Sequence, residues 1–153
     1  MLVCAPSNTA VDLLTEKLAE RGVNVIRMGN PSRASDLLLE HTFDARVMAH
    51  PSHSKMRSMR QTADQHRNTA SQRASERDRR FGFEGQQRRL RKEEARMLFQ
   101  AADDLEPLIT KDVLESVQVI TGTLVGASNR NIRQLTFETV CIDEAADAGV
   151  VAP

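Results

Sequence analysis

The chain has 153 residues, 40% of them hydrophobic and 27% charged, a balance typical of one folded globular domain and not of a disordered chain. No run approaches the roughly 18 apolar residues that a membrane span needs, which argues against a membrane protein. The first residues lack the basic and apolar segments of a signal peptide.

The zero net charge hides a separation along the chain. Residues 55–96 contain 13 Lys and Arg against 6 Asp and Glu, a net charge of +7, while the remainder has 8 basic against 15 acidic residues, a net charge of −7. Such a basic segment suits a phosphate backbone or an acidic partner.

The first thirty residues predict a strand, a helix and a second strand. Residues 1–6 are typical of a buried parallel strand, Ser7 or Asn8 can cap a helix, and Gly22 ends that helix. Residues 23–28 predict the second strand, so a right-handed βαβ crossover is expected.

The middle of the chain predicts a helical hairpin. Residues 37–39 open a short helix, and the segments 54–80 and 84–105 favour two long antiparallel helices joined near residues 81–85. The first arm is poor in apolar residues (Met56, Met59, Ala63, Ala70) and is predicted to pack weakly. The second arm has a better apolar stripe, formed by Leu90, Ala95, Met97, Leu98, Ala101, Ala102 and Leu105.

After Pro107 the pattern of strands returns, at residues 117–121 and 137–143. The sequence therefore predicts an α/β fold, with residues 1–29 and 114–153 forming the layered part and residues 30–113 inserted as a helical subdomain. Cys4 and Cys141 lie in strand-like runs and are predicted to be free, buried thiols in a reducing compartment.

The apolar strand that ends in Asp143 and Glu144 is the strongest chemical signal. The carboxyl ends of parallel strands face the ligand crevice, and paired acids there are suited to holding Mg²⁺ and orienting a water. The alternative is a strand that merely ends in solvated acids.

Two strand-to-helix turns carry polar side chains that could grip a phosphate backbone. Pro6, Ser7 and Asn8 follow the first strand, and Thr121 and Thr123 follow a later one. The alternatives are helix capping by Ser7 or Asn8 and an ordinary turn after the later strand.

Taken together and in this order, these segments resemble motifs Ia, Ic and II of superfamily 1 helicases. The class is that of the nonsense-mediated-decay helicase and the immunoglobulin-mu-binding helicase, in which CAPSN-x-AVD precedes a TxVGAS-like segment and IDEAAQ. The family also carries a helical subdomain between motifs Ia and Ic. The resemblance covers nearly the whole chain and implies a partial RecA-like parallel sheet.

The resemblance also implies ATP-driven movement along single-stranded RNA or DNA in the cytoplasm. Pro6, Ser7, Asn8, Thr121 and Thr123 would contact the nucleic-acid backbone. Asp143 would bind Mg²⁺ and the nucleotide, and Glu144 would serve hydrolysis as the catalytic residue. The basic hairpin would lie beside the nucleic-acid channel, with Phe81 and Phe83 as its only candidates for base stacking.

The sequence departs from the family in two places. No G-x-x-x-x-G-K-[ST] loop occurs, so the chain is expected to begin just after it and to lack the second motor domain as well. Asp147 stands at the usual glutamine position of motif II. We therefore expect a fragment of a helicase that alone hydrolyses ATP poorly and is marginally stable or self-associating, because an incomplete sheet exposes strand edges.

Two other functions remain open from the sequence. One is a non-enzymatic nucleic-acid-binding module built on the Arg-rich hairpin, with the DEAA segment as a relic. The other is an interaction protein whose basic hairpin docks an acidic partner.

Overall fold

The fold is described from a computed structural model, which covers residues 1–32, 35–72 and 82–144; of residues 71–72 and 82–84 only the backbone is described. By packing, the chain forms two compact units, Met1–Ala49 with Thr110–Pro153 and His50–Ile109. The assignment of residues 30–113 to an inserted subdomain stays a prediction.

The first unit contains a parallel sheet. Its described strands are β1 (Leu2–Ala5), β2 (Val25–Arg27), β3 (Val119–Thr123) and β4 (Val140–Ile142), in the order β2-β3-β1-β4. All of their pairings are parallel, with Ala5 opposite Thr123 and Cys4 opposite Ile142. The predicted α/β class and partial RecA-like sheet are confirmed.

Helix α1 (Asn8–Glu20) connects β1 to β2 and packs on the sheet. Ser7 caps it, since Ser7 Oγ accepts a hydrogen bond from the N–H of Ala10 at 3.1 Å. Gly22 ends it in a left-handed conformation, at φ 78°. Both ends of this helix were predicted from local sequence.

Two short helices, α2 (Asp36–Glu40) and α3 (Phe43–Ala49), follow β2. The predicted short helix at residues 37–39 corresponds to α2, whereas α3 was not predicted. Leu38 of α2 is fully buried in the first unit together with Val11, Val25 and Ile26.

The second unit is built on two long helices, α4 (Pro51–Gln72) and the part of α5 (Gly82–Glu115) that ends at Ile109. They run antiparallel, because Arg60 pairs with Asp103 and Glu106 while His66 pairs with Glu94. Within the second unit, the buried residues of the two helices recur every seventh position, at Met56, Ala63, Ala70 and at Ala95, Ala102, Ile109.

This spacing corrects two sequence predictions about packing. The first arm, which was predicted to pack weakly, buries Met56, Ala63 and Ala70. The stripe of the second arm is less buried than predicted, since Leu90 and Met97 are exposed.

Helix α5 also contradicts the prediction that the second arm ends before Pro107. Pro107 lies inside the helix, which continues for eight further residues to Glu115. A proline removes one helical hydrogen bond, but Ile109, Val113 and Leu114 beyond it are buried, and this burial outweighs the local cost.

Strand β4 is paired by the described strands only on its β1 side, and all three of its residues are exposed. The prediction that both thiols are free is confirmed for the described residues, and burial is confirmed for Cys4 but wrong for Cys141. Burial raises the pKa of the Cys4 thiol. Cys141 is exposed because its strand lies at the edge.

Candidate functional site

Three neighbouring strands end at the same edge of the sheet and bring the predicted site residues there. Thr123 ends β3, Pro6 to Asn8 follow β1, and Asp143 and Glu144 follow β4. The parallel register places these strand ends side by side, with β1 between β3 and β4. Ligands of open parallel α/β sheets bind at this carboxyl edge.

The turn after β1 is exposed and rich in hydrogen-bonding groups. Pro6, Ser7 and Asn8 are all accessible to solvent. Ser7 performs the capping role described above, so its hydroxyl oxygen already accepts one hydrogen bond. Asn8 Oδ1 accepts a bond from Arg27 Nη2 at 2.9 Å. This turn can present helix N–H groups and the Asn8 amide to an anion.

The two threonines of β3 differ in their surroundings. Thr121 is fully buried, and its hydroxyl lies 2.7 Å from Thr15 Oγ1 and 3.3 Å from the carbonyl oxygen of Ile26. Any ligand contact by this hydroxyl would require it to leave those bonds. Thr123 is half-buried at the strand end, where its Oγ1 accepts a hydrogen bond from the N–H of Gly126 at 3.0 Å. Thr123 is therefore the more accessible of the two.

The acidic pair stands at the end of the edge strand. Asp143 and Glu144 are exposed, and the N–H of Asp143 donates to the carbonyl oxygen of Cys4 at 2.8 Å, which anchors the acid beside β1. Glu144 adopts a left-handed backbone conformation at φ 52°. Non-glycine residues rarely do so, and such strain is common at functional sites.

These acids fit a magnesium ion held mainly by water and substrate. The described residues contain no group of three or more His, Cys, Asp or Glu side chains that could hold a metal. Mg²⁺, however, commonly takes one or two carboxylates, several waters and the phosphates of its nucleotide. One exposed carboxylate at the sheet edge meets that requirement.

A buried ionic network under the β1 turn was not predicted. Arg27 Nε donates to Asp12 Oδ1 at 3.0 Å, and the two side chains are 1% and 0% exposed. Burial would raise the pKa of Asp12, but hydrogen bonds from Ser32 and Arg27, with the charge of Arg27, outweigh it and lower that pKa. The one sequence feature that could have indicated this pair is Arg27 itself, a lone arginine within the apolar run of β2.

Some basic side chains of the hairpin form ion pairs with acidic residues, and others are exposed to solvent. Arg60 bonds to Asp103 and Glu106, and Arg67 bonds to Asp64 and lies 5.7 Å from the ring centre of Phe99. Exposed basic side chains remain on both helices, at Lys55, Arg57, Arg89, Lys92 and Arg96. The last three recur at helical spacing and so lie along one side of α5.

Some predicted features lie outside the described residues. Phe81 and Asp147 are among them, and the side chain of Phe83 is not described. In the part of the chain that is described, no helix is long and apolar enough to cross a membrane.

Comparison with known proteins identifies relatives over nearly the whole chain. The family model of an AAA domain matches residues 1–151. The DNA polymerase alpha-associated DNA helicase A of Schizosaccharomyces pombe is 27% identical over 148 residues. The ATP-dependent helicase upf1 of the same yeast and the DNA-binding protein SMUBP-2 of Rattus norvegicus are each 29% identical, over 151 and 154 residues.

Each of these alignments covers 97% of this chain but only a small part of the relative. The covered share is 21% of the DNA helicase A and 14% of upf1 and of SMUBP-2. The chain thus corresponds to one segment of much longer proteins.

Proposed function

The chain belongs to the AAA domain family, within the superfamily 1 helicase class, and we propose that it forms part of the first motor domain of an ATP-dependent nucleic-acid helicase. The observation that carries this proposal is the alignment of three strand ends at one sheet edge. That alignment puts the Ser7–Asn8 turn, Thr123 and the Asp143–Glu144 pair side by side.

In this proposal the β1 and β3 ends contact a single strand of RNA or DNA. Pro6, Ser7 and Asn8 offer an exposed helix start whose N–H groups and side-chain amide can donate to phosphate oxygens. Thr123 offers a hydroxyl at the neighbouring strand end. Thr121, which the family resemblance also includes, is fully buried and its hydroxyl bonds to Thr15, so Thr123 is the direct contact in this proposal. Two relatives carry DNA in their printed names, which supports a nucleic-acid ligand of this kind.

The acidic pair is proposed to serve the nucleotide. Asp143 would hold Mg²⁺ through water, and Glu144 would orient the attacking water as general base. When bound, the magnesium ion neutralises charge on the phosphates of ATP. The 153 residues contain no phosphate-binding G-x-x-x-x-G-K-[ST] loop, so we expect the chain alone to hydrolyse ATP poorly. A cytoplasmic location is part of the same proposal.

A second candidate is a nucleic-acid-binding module that uses the hairpin and no ATP. The row of exposed Arg89, Lys92 and Arg96 on α5 favours it, because three cations along one helix face suit a phosphate backbone or an acidic protein. This candidate requires neither Asp143 nor Glu144. The two candidates therefore predict different responses to substitution at the sheet edge.

The test is fluorescence anisotropy of a labelled single-stranded oligonucleotide, titrated with the chain across a salt series, with and without Mg-ATP. Each phosphate contact with a single strand contributes a slope of about −0.7 in the logarithm of affinity against that of salt. Three proteins are compared: the wild type, Asn8→Ala with Thr123→Val, and Arg89→Gln with Lys92→Gln and Arg96→Gln.

Loss of affinity in the Asn8/Thr123 variant supports the motor-domain proposal. Loss confined to the hairpin variant supports the second candidate instead. Binding to neither RNA nor DNA by folded wild type, at low salt, would refute both and direct attention to acidic protein partners.

A further inference from the structure

The guanidinium group of Arg27 bonds to three different partners at once. Nε donates to Asp12 Oδ1 at 3.0 Å, Nη1 donates to the carbonyl oxygen of Met28 at 2.8 Å, and Nη2 donates to Asn8 Oδ1 at 2.9 Å. Because the guanidinium is planar and its donors have a fixed geometry, three bonds determine its position and its orientation.

Asp12 is itself held from the other side. Its second oxygen, Oδ2, accepts hydrogen bonds from the N–H of Ser32 at 2.8 Å and from Ser32 Oγ at 2.6 Å. The carboxylate therefore connects α1 to the loop after β2, and it cannot turn without breaking bonds to both Arg27 and Ser32. The pair is rigid as well as buried.

This network determines which way the Asn8 amide faces. A guanidinium only donates hydrogen bonds, so the atom of Asn8 that meets Arg27 must be the oxygen. The amide nitrogen Nδ2 consequently points away from Arg27. Asn8 is exposed, and its Nδ2 donates to no atom among the described residues. Two N–H donors are thus held toward solvent at the first turn of α1.

A buried ion pair is an unusual way to stabilise this part of the fold. Removing two charges from water is costly, and apolar residues of similar size often stabilise a protein equally well. An apolar pair, however, could not orient the Asn8 amide. The position of this ion pair directly beneath an exposed polar residue points to a role in holding that residue.

We propose that Arg27, held by Asp12, is a positioning residue that fixes the Asn8 amide as a hydrogen-bond donor to a backbone phosphate of the bound single strand. This inference rests on the proposed nucleic-acid function. It identifies Arg27 as the residue that orients Asn8, one of the proposed contacts. Arg27 itself is buried and does not touch the nucleic acid.

The first test is Asn8→Asp, measured by anisotropy and by thermal unfolding. The new carboxylate still accepts the bond from Arg27, so thermal stability is retained or raised, but it offers no N–H to phosphate. We expect affinity to fall about tenfold or more, as for loss of one charge-assisted hydrogen bond. Thr9→Asp is the matched control, because it places the same charge at the next exposed residue, and we expect it to cost about threefold or less.

The second test is a cycle of Arg27→Lys and Asn8→Ala. Lysine keeps a charge for Asp12 but lacks the fork that reaches Asn8. If Arg27 acts through Asn8, Arg27→Lys lowers the affinity when Asn8 is present. It has no further effect on affinity when it is combined with Asn8→Ala. A merely structural role would lower affinity equally in both backgrounds.

The outcomes distinguish failure of the positioning role from failure of the proposed function. Equal affinities of Asn8→Asp and Thr9→Asp, with the wild type binding normally, overturn the positioning role and leave the proposed function standing. If the Arg27→Lys variant fails to fold, the proposal is decided by comparing the affinities of Asn8→Asp and Thr9→Asp. Absence of binding by the folded wild type overturns the proposed function and this inference with it.

Discussion

The hydroxyl oxygens of Thr15 and Thr121 lie 2.7 Å apart in the interior of the first unit, although 106 residues separate them along the chain. Thr15 Oγ1 also lies 2.7 Å from the carbonyl oxygen of Val11. Each hydroxyl has one proton and each also lies near a backbone carbonyl, Val11 for Thr15 and Ile26 for Thr121, so either threonine could be the donor in the bond between them. This bond ties the middle of α1 to β3 beneath the candidate site.

The threonine pair predicts non-additive stability changes. Thr15→Val and Thr121→Val should each lower the free energy of unfolding by about 1–2 kcal/mol, because each leaves a buried polar partner with fewer bonds. The double variant should cost about 1 kcal/mol less than the sum, since the shared bond is lost only once. Urea unfolding of the four proteins measures the coupling, and strict additivity would contradict it.

The lowered pKa of Asp12 predicts a stability that declines in acid. The unfolded chain takes up this proton at a higher pH than the folded chain does. Asp12 therefore contributes stability above its unfolded pKa, near 3.8, and loses it as the pH falls through the lower folded pKa. Asp12→Asn should cost about 3–5 kcal/mol at neutral pH, because Arg27 is left buried without its counter-charge.

The measurement is urea unfolding of the wild type and Asp12→Asn between pH 7 and about pH 3. We expect a shallower acid dependence in the variant. Glu138→Gln, at an exposed acid, is the control, and Ser32→Ala is a milder variant that removes one bond to Asp12. Identical pH profiles for wild type and Asp12→Asn would refute the assignment.

Pro107 predicts a stabilising substitution in α5. Alanine would restore an N–H that can bond to the carbonyl of Asp103 and would remove a poor helix former from an exposed interior position. We expect Pro107→Ala to raise the free energy of unfolding by about 1–3 kcal/mol. Leu108→Ala, also exposed, should change stability little. A destabilised Pro107→Ala variant would indicate that the helix needs a bend there.

The left-handed backbone of Glu144 predicts that glycine at this position raises stability, although the substitution removes a proposed catalytic carboxylate. Glycine adopts the left-handed conformation of φ 52° without strain, so Glu144→Gly should be more stable than Glu144→Gln by up to about 1 kcal/mol. Both variants remove the carboxylate, which separates conformation from charge. Chemical unfolding of the two would test this, and a less stable glycine variant would show that the strain is absent in solution.

The exposed edge strand predicts self-association of the isolated chain. β4 carries the sequence Val-Cys-Ile, and Val140 and Ile142 are 52% and 40% exposed beside backbone groups that no described strand pairs. Ile142→Lys should therefore lower the associated fraction, because a charged edge resists strand pairing. Sedimentation velocity over a concentration series would show it. Leu90→Lys, on an exposed helix position, should have no such effect.

Much of the fold followed from local patterns in the sequence. The parallel α/β class, a helix cap at Ser7 or Asn8, the Gly22 stop and the helical hairpin were all predicted, because apolar periodicity, capping and helix propensity act over a few residues. The positions of Asp143 and Glu144 at a strand end were predicted for the same reason. Whether these residues bind magnesium and nucleic acid stays a prediction.

The features that the sequence did not determine all depend on which distant residues meet. The Asp12–Arg27 pair and the inward bond of Thr121 join segments 15 and 106 residues apart. Continuation of α5 through Pro107 depends on burial of Ile109 and Val113, and exposure of Cys141 depends on β4 taking the edge position.

The sequence by itself therefore determined the kind of elements, their order and the residues that stand at their ends. Only the tertiary structure decided which of those side chains face solvent and which form hydrogen bonds within the protein. The physical reason is that burial and hydrogen bonding depend on the neighbours a residue acquires when the sheet assembles, and strand order is not encoded in any local pattern.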